Sequence, residues 1–124
     1  MTDILDILKN TRELISKGWC QFALAVDSNF NVVDYNNSTA TSYCLIGALE
    51  KSIFRDKYSK SNTDNHKYFT KVYNILLKYI DGPHFTLSTW NDSRDRTQQQ
   101  VLDMLDNAIR DLEKNDSENK VEIT

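Results

Sequence analysis

One proline and three glycines in 124 residues leave few natural breaks, so helices and strands should dominate over loops. Long apolar runs are also missing: none approaches the roughly 20 residues needed to span a bilayer. The opening Met1-Thr2-Asp3-Ile4-Leu5 is acidic and amphipathic, without the basic-then-apolar layout of a signal peptide. No membrane association is expected, and the cytoplasm is the default location. Cysteine is scarce, with only Cys20 and Cys44, and there is no CxxC motif; His66 and His84 lie far apart. Neither a metal nor a cofactor is therefore expected. In a reducing compartment the two thiols should stay reduced, although the sequence leaves a disulfide between them open. Lysines and arginines are scattered rather than striped along a chain of net charge -3 and pI near 5.3. That pattern argues against a nucleic-acid partner, while leaving room for a local basic pocket. Gly-rich phosphate loops, HExxH, GxSxG and paired glutamates are all absent.

The composition that remains is 40% hydrophobic and 27% charged, which is ordinary for a globular domain of this length. Asp3 to Lys17 carries Ile4, Leu5, Ile7, Leu8, Leu14 and Ile15 at helical spacing, with Gly18 placed to end the helix. Gln21 to Val26 and Phe30 to Tyr35 read as two short strands joined by a turn at Asp27-Ser28-Asn29. Thr39 to Phe54 reads as a nearly buried helix, in which Gly47 costs up to about 1 kcal/mol unless another backbone approaches closely. Arg55 to Asn65 is polar and should be an exposed connection. The stripe from Tyr68 to Ile80 marks a third helix ended by Gly82-Pro83. Phe85 to Thr89 alternates with period two, as a third short strand would. Thr97 and Gln100 form a capping box at the head of a helix carrying Val101, Leu102, Leu105, Ala108, Ile109 and Leu112. The expectation is one compact α+β domain over residues 1–113, with about four helices and a two- to three-stranded antiparallel sheet. Residues 114–124 should form a polar, flexible C-terminal tail.

The block Trp90-Asn91-Asp92-Ser93-Arg94-Asp95-Arg96-Thr97 concentrates the chemistry. Arg96 beside a helix N-terminus suits a phosphate or carboxylate. Asn91 and Asp92 suit ribose hydroxyls or a base edge, and Trp90 suits stacking on a planar ring, with Trp19 as a further lining residue. The competing reading is structural: aspartates and arginines pair to order the loop, while Trp90 and Trp19 fill the core. Cys44 is the one credible nucleophile, and nothing at motif spacing supplies its base, so a buried structural cysteine is the stronger reading.

Three blocks together resemble a small family of unknown function found in bacteria and phages. They are Gly18-Trp19 through Ala25-Val26-Asp27, the run from Ala40 through Cys44 to Gly47-Ala48-Leu49, and Trp90-Asn91-Asp92 followed by Arg96-Thr97. Two departures stand out: Tyr43 occupies a position that is tryptophan in many relatives, and the turn lacks a glycine. The resemblance implies a shared fold and pocket, and its phage association implies interference with host signalling or defence.

The leading expectation is a non-enzymatic protein binding a polar, nucleotide-like molecule through Trp19, Trp90, Asn91, Asp92, Arg96 and Thr97. Two alternatives accompany it: a small hydrolase using Cys44 or Asp92, and a protein–protein interaction module acting as a homodimer.

Overall fold

Helix α1 (Thr2–Lys17) aligns Ile4, Ile7, Leu8, Thr11 and Ile15 along one stripe, and all five are buried. Spacing of three and four residues turns them to one face. The computed structural model describes residues 2–54 and 62–123, with side chains for 4–54 and 65–115. After α1 come β1 (Ala25–Val26), β2 (Val32–Val33), β3 (Ser42–Tyr43), α2 (Leu45–Phe54), α3 (Asn62–Leu77), α4 (Leu87–Asn91) and α5 (Gln98–Ile123). The fold is α+β in one compact domain, with sheet order β2-β1-β3 and both pairings antiparallel. Among the described residues four helices are long, and a fifth, α4, spans five residues. None of them is long and apolar enough to cross a membrane.

Helix α1 packs against both α2 and α5. Facing it, α5 buries Val101, Leu102, Met104, Leu105 and Ala108, while α2 is buried nearly all round. Polar groups caught at these contacts are paired. The Thr11 hydroxyl donates to the Ile7 carbonyl at 2.8 Å and lies 3.1 Å from the Ser52 hydroxyl, itself 2.9 Å from the Ala48 carbonyl. A two-pronged Arg12–Asp106 pair (2.7 and 3.2 Å) and a Tyr79–Asp111 hydrogen bond of 2.7 Å fasten α5 at the rim.

Several expectations are corrected. The Phe85–Thr89 strand is instead the approach to α4 and its first turn: the Thr86 hydroxyl caps α4 by accepting from the Thr89 amide at 3.1 Å. Five residues of period two are too few to decide between strand and capped turn. The third strand lies elsewhere, at Ser42–Tyr43, and takes residues expected in α2. Asn37 makes an Asx turn by accepting from the Thr39 amide and hydroxyl, so Thr39 turns instead of opening a helix, and α2 starts at Leu45. Conversely α3 begins by Asn62, inside the expected exposed connection, of which residues 55–61 lie outside the described residues. It ends at Leu77, before Gly82-Pro83, through tight turns from Lys78 to Ile75 and from Tyr79 to Leu76. The first two strands shrink to two residues each, and Gln21 and Phe22 bond instead to the end of α4, at the Asn91 and Ser93 carbonyls and the Asp92 carboxylate.

Gly18 and Gly47 are both required by close approach. A Cβ on Gly18 would overlap the Thr41 carbonyl oxygen, and one on Gly47 would overlap the Leu24 carbonyl oxygen. An alanine in a helix interior ordinarily stabilises by up to about 1 kcal/mol over glycine. At position 47 the sign reverses: Gly47→Ala should destabilise the protein by about 3 kcal/mol, because backbone cannot step aside as a flexible side chain does. Urea unfolding of the variant beside the wild type checks this.

Candidate functional site

The Thr86 cap starts α4 so that Asn91 ends it pointing inward, with only 1% of its surface exposed. All four hydrogen-bonding positions of its side-chain amide are filled. Its Oδ1 accepts from Trp19 Nε1 at 2.8 Å and from the Leu45 backbone amide at 3.1 Å. Its Nδ2 donates to the Cys20 carbonyl at 3.2 Å and to Asp92 Oδ1 at 2.9 Å. Leu45 is the first residue of α2, so Asn91 satisfies one of the amides a helix start leaves unpaired. One side chain thus joins the segment after α1, the head of α2 and the end of α4.

The neighbours extend this network. Asp92 Oδ1 also accepts from the Phe22 amide at 3.0 Å, and Gln21 Nε2 donates to the carbonyls of Asn91 (3.0 Å) and Ser93 (2.9 Å). On the other flank the Arg96 guanidinium lies over the Trp90 ring, 3.9 Å from its centroid, while its Nε donates to the Trp90 carbonyl at 2.8 Å. Trp90 Nε1 donates to Asp81 at 2.8 Å, and Asp81 lies 3.7 Å from the Arg96 guanidinium. Thr97 and Gln100 form the expected capping box: the Gln100 amide donates to Thr97 Oγ1 at 3.2 Å, and the Thr97 amide donates to Gln100 Oε1 at 3.0 Å. Trp19, Trp90, Asn91, Asp92, Arg96 and Thr97 therefore converge, and their polar groups meet partners within the chain.

Cys44 is the cap residue of α2 rather than a residue inside it. The Gly47 amide donates to its sulfur at 3.3 Å, and its carbonyl accepts the first helical bond from Ala48. Burial raises the Cys44 thiol pKa despite the help of the Gly47 and Ile46 amides. Burial, reinforced by Cys44 and Asp92, pushes Cys20 up to about 12. Neither histidine is placed to act as a base for Cys44: His66 packs edge-on to Phe54, and His84 sits beside Gly82. A hydrolase needs an activated nucleophile, and this environment favours the neutral thiol.

Gln21, Asp81 and Cys20 belong to this cluster without having stood out in the sequence. Cys20 and Gln21 directly follow Trp19 inside the first block of the family resemblance, which is the signal that marks them. Asp81 carries no such signal, since only tertiary packing brings it to Trp90. Among the described residues one surface depression is lined by Leu24, Val32, Val33, Asp34 and Asn37, away from this cluster. Among the described residues no group of three His, Cys, Asp or Glu side chains is arranged to hold a metal ion.

A family model described as a family of unknown function (DUF6197) matches residues 1–111. No curated protein and no solved structure matches the chain.

Replacing Asn91 with alanine strands the Leu45 amide, the Trp19 indole and the Cys20 carbonyl together. Asn91→Ala should cost at least about 3 kcal/mol, since each buried unpaired group costs about 1–3 kcal/mol; urea unfolding measures it. Asp81 offers a test in pH. The Trp90 indole N–H holds its carboxyl below the ordinary value of 3.8, with smaller help from its own backbone amide and Arg96. Because the folded value is depressed, ionised Asp81 stabilises the fold above the unfolded carboxylate range, and that contribution vanishes as pH falls through the folded value. In Trp90→Phe an NMR titration should find the Asp81 carboxyl returned toward the ordinary value.

Proposed function

The chain belongs to DUF6197, a family of unknown function, and we propose from its own surface that it is a protein-interaction module. The carrying observation is a pair of aromatic side chains held outward on strained backbone. Phe22 and Phe30 both adopt the left-handed region at φ 66°, with 77% and 85% of their surfaces exposed. Bulky side chains avoid that conformation, and retained strain of this kind clusters at binding sites. Val32, 74% exposed on the outer strand β2, and Leu24 add to the apolar surface. Val32 and Leu24 line one depression together with Asp34.

Charge indicates the partner. From Gly18 through Glu50 the only charged residues are Asp27, Asp34 and Glu50, with no lysine, arginine or histidine. The amides of Asn31 and Asn29 hold the Asp27 carboxyl below its usual range, so it stays ionised. An apolar face with acidic borders suits a polypeptide segment that presents apolar side chains flanked by lysine or arginine. Two copies of this face would bring like charges together, which places the homodimer second. Interference with a host protein of a phage, acting in the cytoplasm, belongs to this same proposal.

A small polar or nucleotide-like ligand at Trp19, Trp90, Asn91, Asp92, Arg96 and Thr97 is the competing proposal. It has to displace hydrogen bonds already made within the chain.

A peptide array pairing apolar cores with basic or acidic flanks tests the reading. Retention of basic-flanked peptides, with backbone NMR shifts confined to residues 22–34, is the expected result. Phe30→Gly should abolish retention while holding or raising stability by up to about 1 kcal/mol, because glycine adopts positive φ freely. Shifts centred on Trp19 and residues 90–97 upon adding nucleotides would overturn it in favour of the small ligand. Self-association in sedimentation without peptide retention would favour the homodimer.

A further inference from the structure

Outside the docking face, two thiols lie in register. Trp19 and Tyr43 form a parallel bridge in which the Tyr43 amide donates to the Gly18 carbonyl at 3.0 Å and the Cys20 amide donates to the Tyr43 carbonyl at 3.1 Å. The bridge is isolated and Cys44 already caps α2, so the ladder does not run on, yet one step along both chains from the bridge brings Cys20 and Cys44 opposite each other. Adjacent strands lie about 4.8 Å apart, and paired side chains leave on the same face of the sheet. That separation falls within the span of about 4.4–6.8 Å between Cα atoms that a disulfide bridges. A second observation agrees: the Cys20 sulfur, which donates to the Ala23 carbonyl at 3.5 Å, lies near enough to Cys44 for the two thiols to interact electrostatically. Both cysteines are free thiols here, Cys20 half-buried and Cys44 buried.

We propose that Cys20 and Cys44 form a modification site, a pair that closes into an intramolecular disulfide and locks the segment following Cys20 onto the head of α2. With a peroxide as oxidant, the Cys20 sulfur attacks the O–O bond. The new S–O bond replaces the O–O bond, and the departing hydroxide takes up the thiol proton as water. Cys44 then attacks the oxidised sulfur: the S–S bond forms, the S–O bond breaks, and a second water leaves with the Cys44 proton. Two thiols lose two electrons in total, and the peroxide is reduced to two waters. Cys20, the less buried of the two thiols, is the attacking partner. Burial and the nearby Asp92 charge keep both thiols protonated, so closure is slow at neutral pH and accelerates about tenfold per pH unit.

The test treats the full chain with hydrogen peroxide at neutral and alkaline pH and follows intact mass, free thiols and melting. The expected product is lighter by two hydrogens and yields a Cys20–Cys44 linked peptide. It should melt about 10 °C higher, since closing a loop of this length constrains the unfolded chain. A reducing agent should reverse both changes. Cys20→Ser, at a half-buried site that tolerates a hydroxyl, should show neither. The proposal is overturned if the folded protein keeps both thiols titratable after peroxide or gains oxygen instead of losing hydrogen. Linkage between chains, or a linked chain that melts no higher, overturns it equally.

Discussion

The side-chain amide of Asn91 is the constraint on which the rest of the molecule depends. Its two donors and two acceptor sites are all used, and its partners come from three separate stretches of chain. The head of a helix cannot be buried with an unpaired amide at little cost, and α2 solves this with a side chain 46 positions away. The same bonds hold Trp19 and the Cys20 carbonyl, so the segment leaving α1 and the segment opening α2 have one geometry. Because the site is nearly water-free, each of these bonds is electrostatically stronger than on the surface, and each missing partner costs more.

Around this amide the polar residues form a closed set. Asp92 and Gln21 bind backbone groups on either side of it, and Arg96 covers the Trp90 ring while bonding to the Trp90 carbonyl. The stack leaves Arg96 with a side chain only 10% exposed, where it acts as packing as much as charge. The result is a rigid base from which the hairpin projects. Backbone strain at Phe22 and Phe30 persists only where surrounding structure over-determines it. The Asp92 bond to the Phe22 amide and the Asp27 turn around Phe30 supply that determination. A tightly paired interior thus supports an apolar, strained exterior.

Much of this was legible from the residues. The stripe in α1, the stripe in α5 and the Thr97–Gln100 capping box follow from local spacing, and the folded protein keeps them. Gly47 inside an apolar helix signalled a close backbone approach, and the Leu24 carbonyl makes that approach. Gly18 ends α1 for a different reason from the one its position suggests, since it avoids a clash with the Thr41 carbonyl. The candidate block was visible as a concentration of polar types beside a helix start. Its internal pairing was not, because Trp19, Leu45 and Cys20 lie 46 to 72 positions from Asn91.

The sequence by itself determined the class of the fold, its helical faces and the polar block from Trp90 to Thr97. These rest on periodicity and capping, which act over a single turn of helix. Tertiary structure alone decided where α2 begins, that residues 42–43 join the sheet, that α4 replaces a strand, and that Cys20 lies beside Cys44. The Asn37 turn and the Thr86 cap are local choices that helical and period-two patterns do not distinguish, whereas the sheet pairing and the approach of Cys20 to Cys44 depend on hydrogen bonds between segments far apart in the chain. Such a bond is satisfied only once the segments have met, so no short window of residues contains it.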